Sequence, residues 1–278
     1  MSFASADEAA SRSAGSRLPA EALGATRITR TARQVSQRLV PEERPIALVH
    51  DGSTTAVMMA TPADLEDFAL GFSLTEGLIE DAAEIESLEI AESDDGIEVR
   101  MWLSSARGRA LAQRRRRLAG PTGCGLCGIE SLHEAVRPPR RVGEGFVITA
   151  EAIHEGLEAM TRAQELGSAT RAMHAAAWWS TQEGLVAVRE DVGRHNALDK
   201  LAGALARGHG EPEGAVLLTS RLSVEMIQKA AAMCAQVVVA VSAPTSLAVS
   251  TAETAGMTLI AVARADSFEV FTRPDRVR

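Results

Sequence analysis

The sequence predicts an α/β fold with two unequal parts: a C-terminal part in which short strands alternate with helices, and a smaller N-terminal α+β part. Five short apolar runs, typical of buried strands, occupy residues 174–179, 185–188, 215–218, 237–241 and 257–262. Segments with helical spacing of apolar residues lie among them at 194–207, 222–234 and 246–255. Short apolar strands separated by helices favour a largely parallel sheet that helices cover on both faces.

Composition narrows the class of protein. The chain has 278 residues, of which 46% are apolar, enough to bury a core in one or two domains. Its formal net charge of −8 argues against nucleic acid as a partner, because duplex-binding proteins normally present a basic face. No window approaches the ~18 apolar residues of a membrane span, and residues 1–20 lack the apolar core of a secretory signal. The three cysteines are too few for a disulfide framework, so we expect a cytoplasmic protein that does not bind membranes.

Local composition divides the chain into four segments. Residues 1–38 are rich in Ala, Ser and Arg without periodicity and are expected to form a flexible leader. Residues 39–118 carry the patterns of a small α+β domain, and residues 119–146 form a glycine- and proline-rich connection with one short helix at 129–136. Residues 147–278 hold the alternating strands and helices, beginning with a helix that is expected to end at Gly167.

Three local signals describe the N-terminal domain. Asp51-Gly52 suits the positive φ angles of a type I′ turn, which predicts a hairpin over residues 45–58. Thr61 followed by Pro62 is typical of a helix N-cap and first turn, so a helix is expected to begin there. Apolar residues alternate with polar ones over 97–103, the pattern of a half-buried strand.

A Cys-x-x-Cys pair, Cys124 and Cys127, lies in the glycine-rich connection. Arginines at 114–117 precede it and the short predicted helix follows it, and both positive charge and a helix N-terminus favour the reactive thiolate. Disulfide exchange, carriage of a sulfane sulfur as a persulfide, and two incidental cysteines are all compatible with these residues. The third cysteine, Cys234, lies in an apolar stretch and is expected in the core.

Metal and dinucleotide motifs fit this loop less well. A structural zinc ion needs four ligands, and His133 would supply only a third. A deaminase-type zinc site needs His-x-Glu upstream of Pro-Cys-x-x-Cys, whereas the His-x-Glu of this chain, at 209–211, lies downstream. The G-x-G-x-x-G pattern at 123–128 should follow a buried strand, but arginines precede it. We therefore predict no metal site and no zinc.

Polar residues cluster where the predicted strands end. In an open α/β sheet that edge borders the ligand crevice, and a helix N-terminus there can bind an anion. Arg194 and His195 would lie in the first turn of a helix within the polar stretch 190–200, and His174 starts a strand at the same crevice. These loops together predict a phosphate and nucleotide cradle. Its residues in the later strand-end loops are Ser220, Arg221, Ser242, Thr245, Val262, Ala263, Arg264, Ala265, Asp266 and Ser267.

As a set, these stretches resemble the formate dehydrogenase accessory sulfurtransferase family of FdhD-like proteins over residues 40–274. The resemblance rests on segments 61–72 and 76–79, the cysteine loop at 124–128, the stretch 190–200, and the loops at 220–226 and 242–248, in family order. It implies that the C-terminal part is a three-layer cytidine deaminase-like domain. One departure is Thr170-Arg171-Ala172-Met173, where the family usually has Thr-Gly-Gly ahead of the histidine that matches His174.

The resemblance implies a sulfurtransferase. Members accept sulfur from a cysteine desulfurase as a persulfide and pass it to the molybdenum bis(molybdopterin guanine dinucleotide) cofactor, which formate dehydrogenase needs for activity. By similarity Cys124 carries the persulfide, Cys127 assists, residues 262–267 contact the cofactor, and the protein is a homodimer. The alternatives are a non-catalytic chaperone that shields the molybdenum cofactor for apo-formate dehydrogenase, and a thiol–disulfide oxidoreductase.

Overall fold

The computed structural model describes residues 18–109, 138–208 and 213–278, so Cys124, Cys127 and the helix predicted at 129–136 lie outside the described residues. The strands are β1 (Ala20–Ile28), β2 (Arg33–Pro41), β3 (Arg44–His50), β4 (Ser53–Ala60), β5 (Ile85–Ser93), β6 (Gly96–Leu103), β7 (His174–Ser180), β8 (Gly184–Asp191), β9 (Ala215–Leu218), β10 (Val237–Ala240), β11 (Thr258–Ala261) and β12 (Glu269–Thr272). The helices used below are α1 (Leu65–Thr75), α2 (Ala150–Ala163), α3 (Glu165–Thr170), α4 (Arg194–Gly208), α5 (Val224–Ala232) and α6 (Ser246–Ala255). Across the described ranges, no helix has both the length and the apolar character that crossing a membrane requires.

Six strands form one mixed sheet in the order β12-β11-β10-β9-β7-β8. Strands β9, β10 and β11 are parallel, whereas β7 is antiparallel to β9, β8 to β7 and β12 to β11. The expectation of a largely parallel sheet is therefore wrong for half of it. Only residues 181–183 join β7 to β8, and parallel neighbours would require a crossover of a dozen residues or more.

Helices cover both faces of this sheet, which confirms the predicted α/β class. On one face Leu198 of α4 and Ile227 of α5 pack in a buried cluster with Val216 of β9. On the other face Ile153 of α2 packs with Leu217, the next residue along β9. Because successive side chains of a strand point to opposite faces, the central strands contribute to both layers and are apolar throughout.

The N-terminal part contains a four-stranded sheet in the order β4-β3-β6-β5. Strands β3 and β4 form the predicted hairpin, with Asp51 at φ 49° and Gly52 at φ 72° as a type I′ turn requires. The strand predicted over 97–103 is confirmed as β6, parallel to β3. Helix α1 covers one face of the sheet, where Leu65 and Phe68 pack on Val99.

Helix α1 begins later than predicted. Its N-cap residue is Asp64, with φ 52°, and Thr61 does not cap it. The Thr61 hydroxyl instead accepts a hydrogen bond from the amide of Val192 at 3.3 Å, and the Thr61 amide donates to the Asp191 carboxylate at 3.0 Å. Hydrogen bonds to the C-terminal part thus replace the local cap that the sequence favours.

The single helix expected to end at Gly167 is two helices. Helix α2 ends at Ala163, and α3 begins at Glu165 after Gln164, whose ψ of 88° breaks the helical path. The Glu190 carboxylate accepts hydrogen bonds from the amides of Leu166 at 2.9 Å and Gly167 at 2.7 Å. The carboxylate thus satisfies the first N–H groups of α3. Sequence periodicity does not reveal that Glu190 is their partner.

Strands β1 and β2 form an antiparallel ribbon, so the expected flexible leader over 1–38 is wrong for residues 20–38. Most of the ribbon's side chains are exposed. Apolar alternation marks a strand only when one of its faces is buried, which explains why the sequence gives no strand signal here. The ribbon lies against α3, where Arg38 donates a hydrogen bond to the carbonyl of Thr170 at 3.1 Å.

Helices α1 and α4 cross at very short range and join the two parts of the chain. A Cβ on Gly71 would overlap the carbonyl oxygen of Asp199, and a Cβ on Gly203 would overlap that of Asp67. Glycine at both positions therefore allows the two backbones to touch. Arg189 of β8 also reaches across the junction to the Asp67 carboxylate at 2.7 Å.

We predict that Gly203→Ala lowers the free energy of unfolding by about 1–3 kcal/mol, because the added methyl group forces α4 away from α1. Urea unfolding measures this difference. Gly208→Ala is the matched control, since it lies in the same helix with no neighbouring atom in the way and should be neutral or slightly stabilising. Equal stability of Gly203→Ala and the wild type would contradict the close crossing.

Candidate functional site at one edge of the sheet

The carboxyl ends of β8, β9, β10 and β11 lie along one edge of the six-stranded sheet. Strands β9–β11 are parallel, and β8 runs the same way because both it and β9 are antiparallel to β7. His174, the first residue of β7, pairs with Asp191 at this edge. Four strand spacings separate β8 from β11, which is about 19 Å at ~4.8 Å per strand. The predicted cradle is thus an extended edge, with Arg194 and His195 at one end and residues 262–267 at the other.

The loop after β11 is held in a strained conformation. Val262 has φ 53°, which is unusual for a β-branched residue. Its amide donates to the carbonyl of Ser242 at 3.2 Å, and the Arg264 guanidinium donates to the carbonyl of Val241 at 2.5 Å and that of Ala263 at 2.8 Å. Strain of this kind persists only where surrounding contacts enforce it, and it is common at ligand-binding positions. The residues that this loop exposes to solvent are Arg264, Ala265, Asp266 and Ser267.

The remaining predicted residues lie in the loops after β9 and β10, and they have two different roles. Thr245 caps α6, since its hydroxyl accepts a hydrogen bond from the amide of Ala248 at 3.2 Å. Ser220 is buried, and its hydroxyl donates to the carbonyl of Arg221 at 3.1 Å. Thr245 and Ser220 therefore shape the loops, whereas Arg221 is exposed to solvent.

The positive charge of Arg194, in the first turn of α4, acts on two histidines, His174 of β7 and His195. Burial, and then the positive charge of Arg194, lower the pKa of His174 below its usual value, against the attraction of Asp191. Burial and Arg194 likewise lower the pKa of His195, whose Nε2 lies 3.4 Å from the Glu225 carboxylate. The Nε of Arg194 is buried, and it finds no hydrogen-bond partner within the described ranges. This end of the edge thus presents the cation of Arg194, the Glu225 carboxylate and two histidines whose lowered pKa favours their neutral form.

The polar stretch 190–200 contributes more to holding the two parts of the chain together than the sequence suggests. Asp191 and Lys200 form a fully buried ion pair at 2.7 Å. Lys200 also donates to the carbonyl of Thr61 at 2.9 Å, and Asn196 donates to the Asp191 carboxylate at 2.9 Å. These contacts attach the segment before α1 to the start of α4, and sequence analysis missed them. The available signal was the presence of Asp191, Asn196 and Lys200 among the apolar positions of an otherwise buried helix start.

A second buried charge cluster joins α1, α4 and α5. The ammonium group of Lys229 donates to the carboxylate of Asp199 at 2.9 Å, to Glu76 at 2.7 Å and to the hydroxyl of Thr75 at 3.0 Å. Burial opposes the charged form, but Asp199 and Glu76 raise the pKa of Lys229 above its usual value. A charged ammonium group thus fixes the N-terminal part against two helices that begin at the edge.

A cavity of about 980 Å³ lies between the two parts of the chain, away from the edge. Leu205 of α4 and Gln228 of α5 line it from the second halves of their helices, and Glu80 and Pro138 line it from the other side. Arg107 forms an ion pair with Glu80 at 3.2 Å. Arg107 and Pro138, which precede and follow the cysteine pair in the sequence, therefore both lie near this cavity.

The predicted catalytic cysteines, Cys124 and Cys127, lie outside the described residues. Cys234 follows α5 at φ 58° and is partly buried rather than fully enclosed in the core. Over residues 18–109, 138–208 and 213–278, no group of three or more His, Cys, Asp or Glu side chains is arranged to hold a metal ion.

The fold and this edge define an α/β protein whose parallel strand ends carry basic and hydroxyl-bearing loops, as in proteins that bind phosphorylated ligands. The sequence profile of the FdhD/NarQ family matches residues 41–278. The chain therefore belongs to the FdhD/NarQ family.

Individual relatives agree with this assignment. The sulfur carrier protein FdhD of Agrobacterium fabrum is 51% identical over 258 residues, covering 90% of this chain and 95% of the relative. The sulfur carrier protein FdhD of Cupriavidus necator is 50% identical, covering 86% of this chain and 83% of the relative. A crystal structure of a formate dehydrogenase accessory protein from Desulfotalea psychrophila superposes with a TM-score of 0.72 at 25% identity, covering 93% of this chain and 99% of that one.

The two histidines predict a pH dependence. A histidine whose pKa is lowered by folding binds fewer protons in the folded than in the unfolded protein, so stability is lost as pH falls through the ordinary value near 6.5. Between pH 7.5 and pH 5 we expect a loss with a slope of up to about 1.4 kcal/mol per pH unit for each histidine. The double variant His174→Gln/His195→Gln should flatten this slope in urea unfolding, whereas the control His154→Gln on α2 should not. An unchanged slope in the double variant would show that these two side chains titrate normally.

Proposed function

We propose that this protein is a cytoplasmic sulfur carrier that accepts sulfur from a cysteine desulfurase and delivers it to the molybdenum bis(molybdopterin guanine dinucleotide) cofactor of formate dehydrogenase. The single observation that carries the proposal is the Cys-x-x-Cys pair in a chain about 50% identical to proteins named sulfur carrier protein FdhD. The edge of basic and hydroxyl-bearing loops supports the cofactor half of the proposal.

Loading is a thiol exchange on Cys124. The Cys124 thiolate attacks the outer sulfur of the desulfurase persulfide, a new S–S bond forms on Cys124, and the desulfurase cysteine leaves as a thiolate. One S–S bond replaces another, so this step requires no external oxidant or reductant. The arginines at 114–117 would favour the attacking thiolate.

Delivery to the metal requires two electrons, because the outer sulfur of a persulfide must leave as sulfide. Cys127 supplies them when its thiolate attacks the inner sulfur: a Cys124–Cys127 disulfide forms and hydrogen sulfide ion is released to the molybdenum substrate. A cellular dithiol then reduces the disulfide and returns both thiols. Cys127 thus assists Cys124 by releasing its outer sulfur, and the step requires no other residue of this chain.

The edge would hold the guanine dinucleotide ends of the cofactor. Arg194 lies at one end of the edge and Arg264 at the other, about 19 Å apart by strand spacing. Arg221 lies in a loop between them. Cations placed at strand ends and helix N-termini suit phosphate groups. An edge of this length fits an extended dinucleotide better than a single phosphate.

The cysteine pair lies in residues 110–137, between two of the described ranges. The chaperone alternative needs no cysteine there.

We predict that Cys124 is the site of persulfide formation. After incubation with a cysteine desulfurase and cysteine, the wild-type protein should gain about 32 Da, the mass of one sulfur atom, in its intact mass spectrum. Cys124→Ala should gain nothing, while Cys127→Ala should still load because it retains the attacking thiolate. Cys234→Ala is the matched control and should load like the wild type. Loading of Cys124→Ala to the wild-type level would overturn the assignment.

A further inference from the structure

Arg171, between α3 and β7, has a backbone conformation that arginine rarely adopts. Its φ is 57° and its ψ is 31°, which is the left-handed region, and it is the C-cap residue of α3. Glycine is the usual residue at such a cap, because a Cβ atom there crowds the backbone. The chain therefore holds a strained arginine at a position that glycine would occupy without strain.

The Arg171 side chain is available to a ligand. It is exposed to solvent, and within the described ranges its guanidinium group has neither a hydrogen bond nor an ion pair. Residues in sparsely populated backbone conformations cluster where a protein binds ligands or switches conformation. A strained backbone that carries an unengaged cation therefore indicates a binding role for Arg171.

Neighbouring groups hold the backbone of Arg171 in this conformation. Its amide donates a hydrogen bond to the carbonyl of Gly167 at 2.8 Å. The Thr170 hydroxyl accepts one from the amide of Ala172 at 3.3 Å, and Arg38 donates one to the carbonyl of Thr170 at 3.1 Å. These bonds fix the chain before and after Arg171, which is what a strained residue needs in order to persist.

Arg171 lies at the β8 end of the candidate functional site. Two residues separate it from His174, which begins β7 and pairs with Asp191 of β8. The Cα atoms of Arg171 and His174 are thus at most ~11 Å apart. Burial and then the charge of Arg194 lower the pKa of His174, so Arg194 lies close to the same ring. Two arginines therefore lie near His174 at this end of the edge.

The two carboxylates that end β8 are engaged by other groups. Asp191 pairs with Lys200 at 2.7 Å. Glu190 accepts hydrogen bonds from the first amides of α3, and both carboxylates are buried. Neither of them neutralises Arg171, so its positive charge is presented to solvent at the edge.

We propose that Arg171 binds a phosphate group of the ligand held at the edge. The inference rests on the proposed function, because the guanine dinucleotide ends of the cofactor supply the phosphates. A guanidinium group binds a phosphate through two parallel N–H···O bonds. Both ends of the edge then carry a strained residue other than glycine, Val262 at one and Arg171 at the other. Ligand binding, rather than a contact within the fold, offsets the strain at Arg171.

Calorimetric titration of the full chain with guanosine diphosphate tests this role. Arg171→Gly removes the cation together with the strain, so the affinity should fall about tenfold, the loss expected for one charged hydrogen-bonded contact. Its melting temperature should stay equal or rise, because glycine adopts the left-handed region freely. Arg171→Asn, which tolerates the same region without a charge, should lose as much affinity. The losses should shrink at high salt, since screening weakens an exposed ion pair.

Arg273→Gly is the matched control. Arg273 also has a positive φ, 49°, but it follows β12, whose last residue lies beside the start of β11 at the opposite edge of the sheet. This change removes an arginine from the same backbone region and should leave the affinity for guanosine diphosphate unchanged.

The outcomes separate this inference from the proposed function. A wild type that binds no guanosine diphosphate would overturn this inference and the cofactor half of the proposed function together. Binding that Arg171→Gly leaves unchanged would overturn this inference alone. So would a parallel loss of affinity and melting temperature, since Arg171 would then serve the fold. An equal loss of affinity in Arg273→Gly would overturn it too, because net charge alone would explain the effect.

Discussion

The contact between α1 and α4 at Gly71 and Gly203 is the constraint on which the arrangement of the two parts depends. Without side chains at these positions the two backbones touch, and this approach brings the N-terminal part within reach of charged groups on α4 and α5. The buried pairs Asp191–Lys200 and Asp199–Lys229 lie beside the junction, and their lysines reach across it to Thr61 and Glu76. Buried ion pairs add little stability by themselves, but a buried charge that loses a partner is costly, so these lysines favour one orientation of the two parts over others.

That orientation has a consequence for the edge. Asp191 ends β8, accepts a hydrogen bond from the Thr61 amide, and precedes Arg194 by only three residues. The first turn of α4, where an anion could bind, is therefore positioned by the N-terminal part as well as by the sheet. Glu80 and Pro138 line a cavity at the same junction, and Arg107 pairs with Glu80 there. The docking of the two parts therefore shapes both this cavity and the basic end of the edge.

Sequence reasoning succeeded where a local signal and a tertiary role coincide. The turn at Asp51-Gly52 and the strand 215–218 follow from positive φ angles and from burial on both faces. It failed where a distant partner decides: Thr61 bonds to residues about 130 positions away, and Glu190 caps α3 from the end of β8. The strand-end loops were predicted because parallel strand ends share one edge. The structural use of Lys200 and Lys229 was not, because burial of a charge depends on a partner that periodicity cannot identify.

Transfer of labelled sulfur tests the central claim most directly. The chain is loaded with ³⁵S by a desulfurase, freed of small molecules, and mixed with formate dehydrogenase that holds cofactor lacking its sulfido ligand. The account predicts that label moves to the dehydrogenase in step with the appearance of formate oxidation, and that Arg194→Ala loads normally but transfers poorly. Activation of the dehydrogenase without any movement of label would contradict it and indicate a chaperone instead.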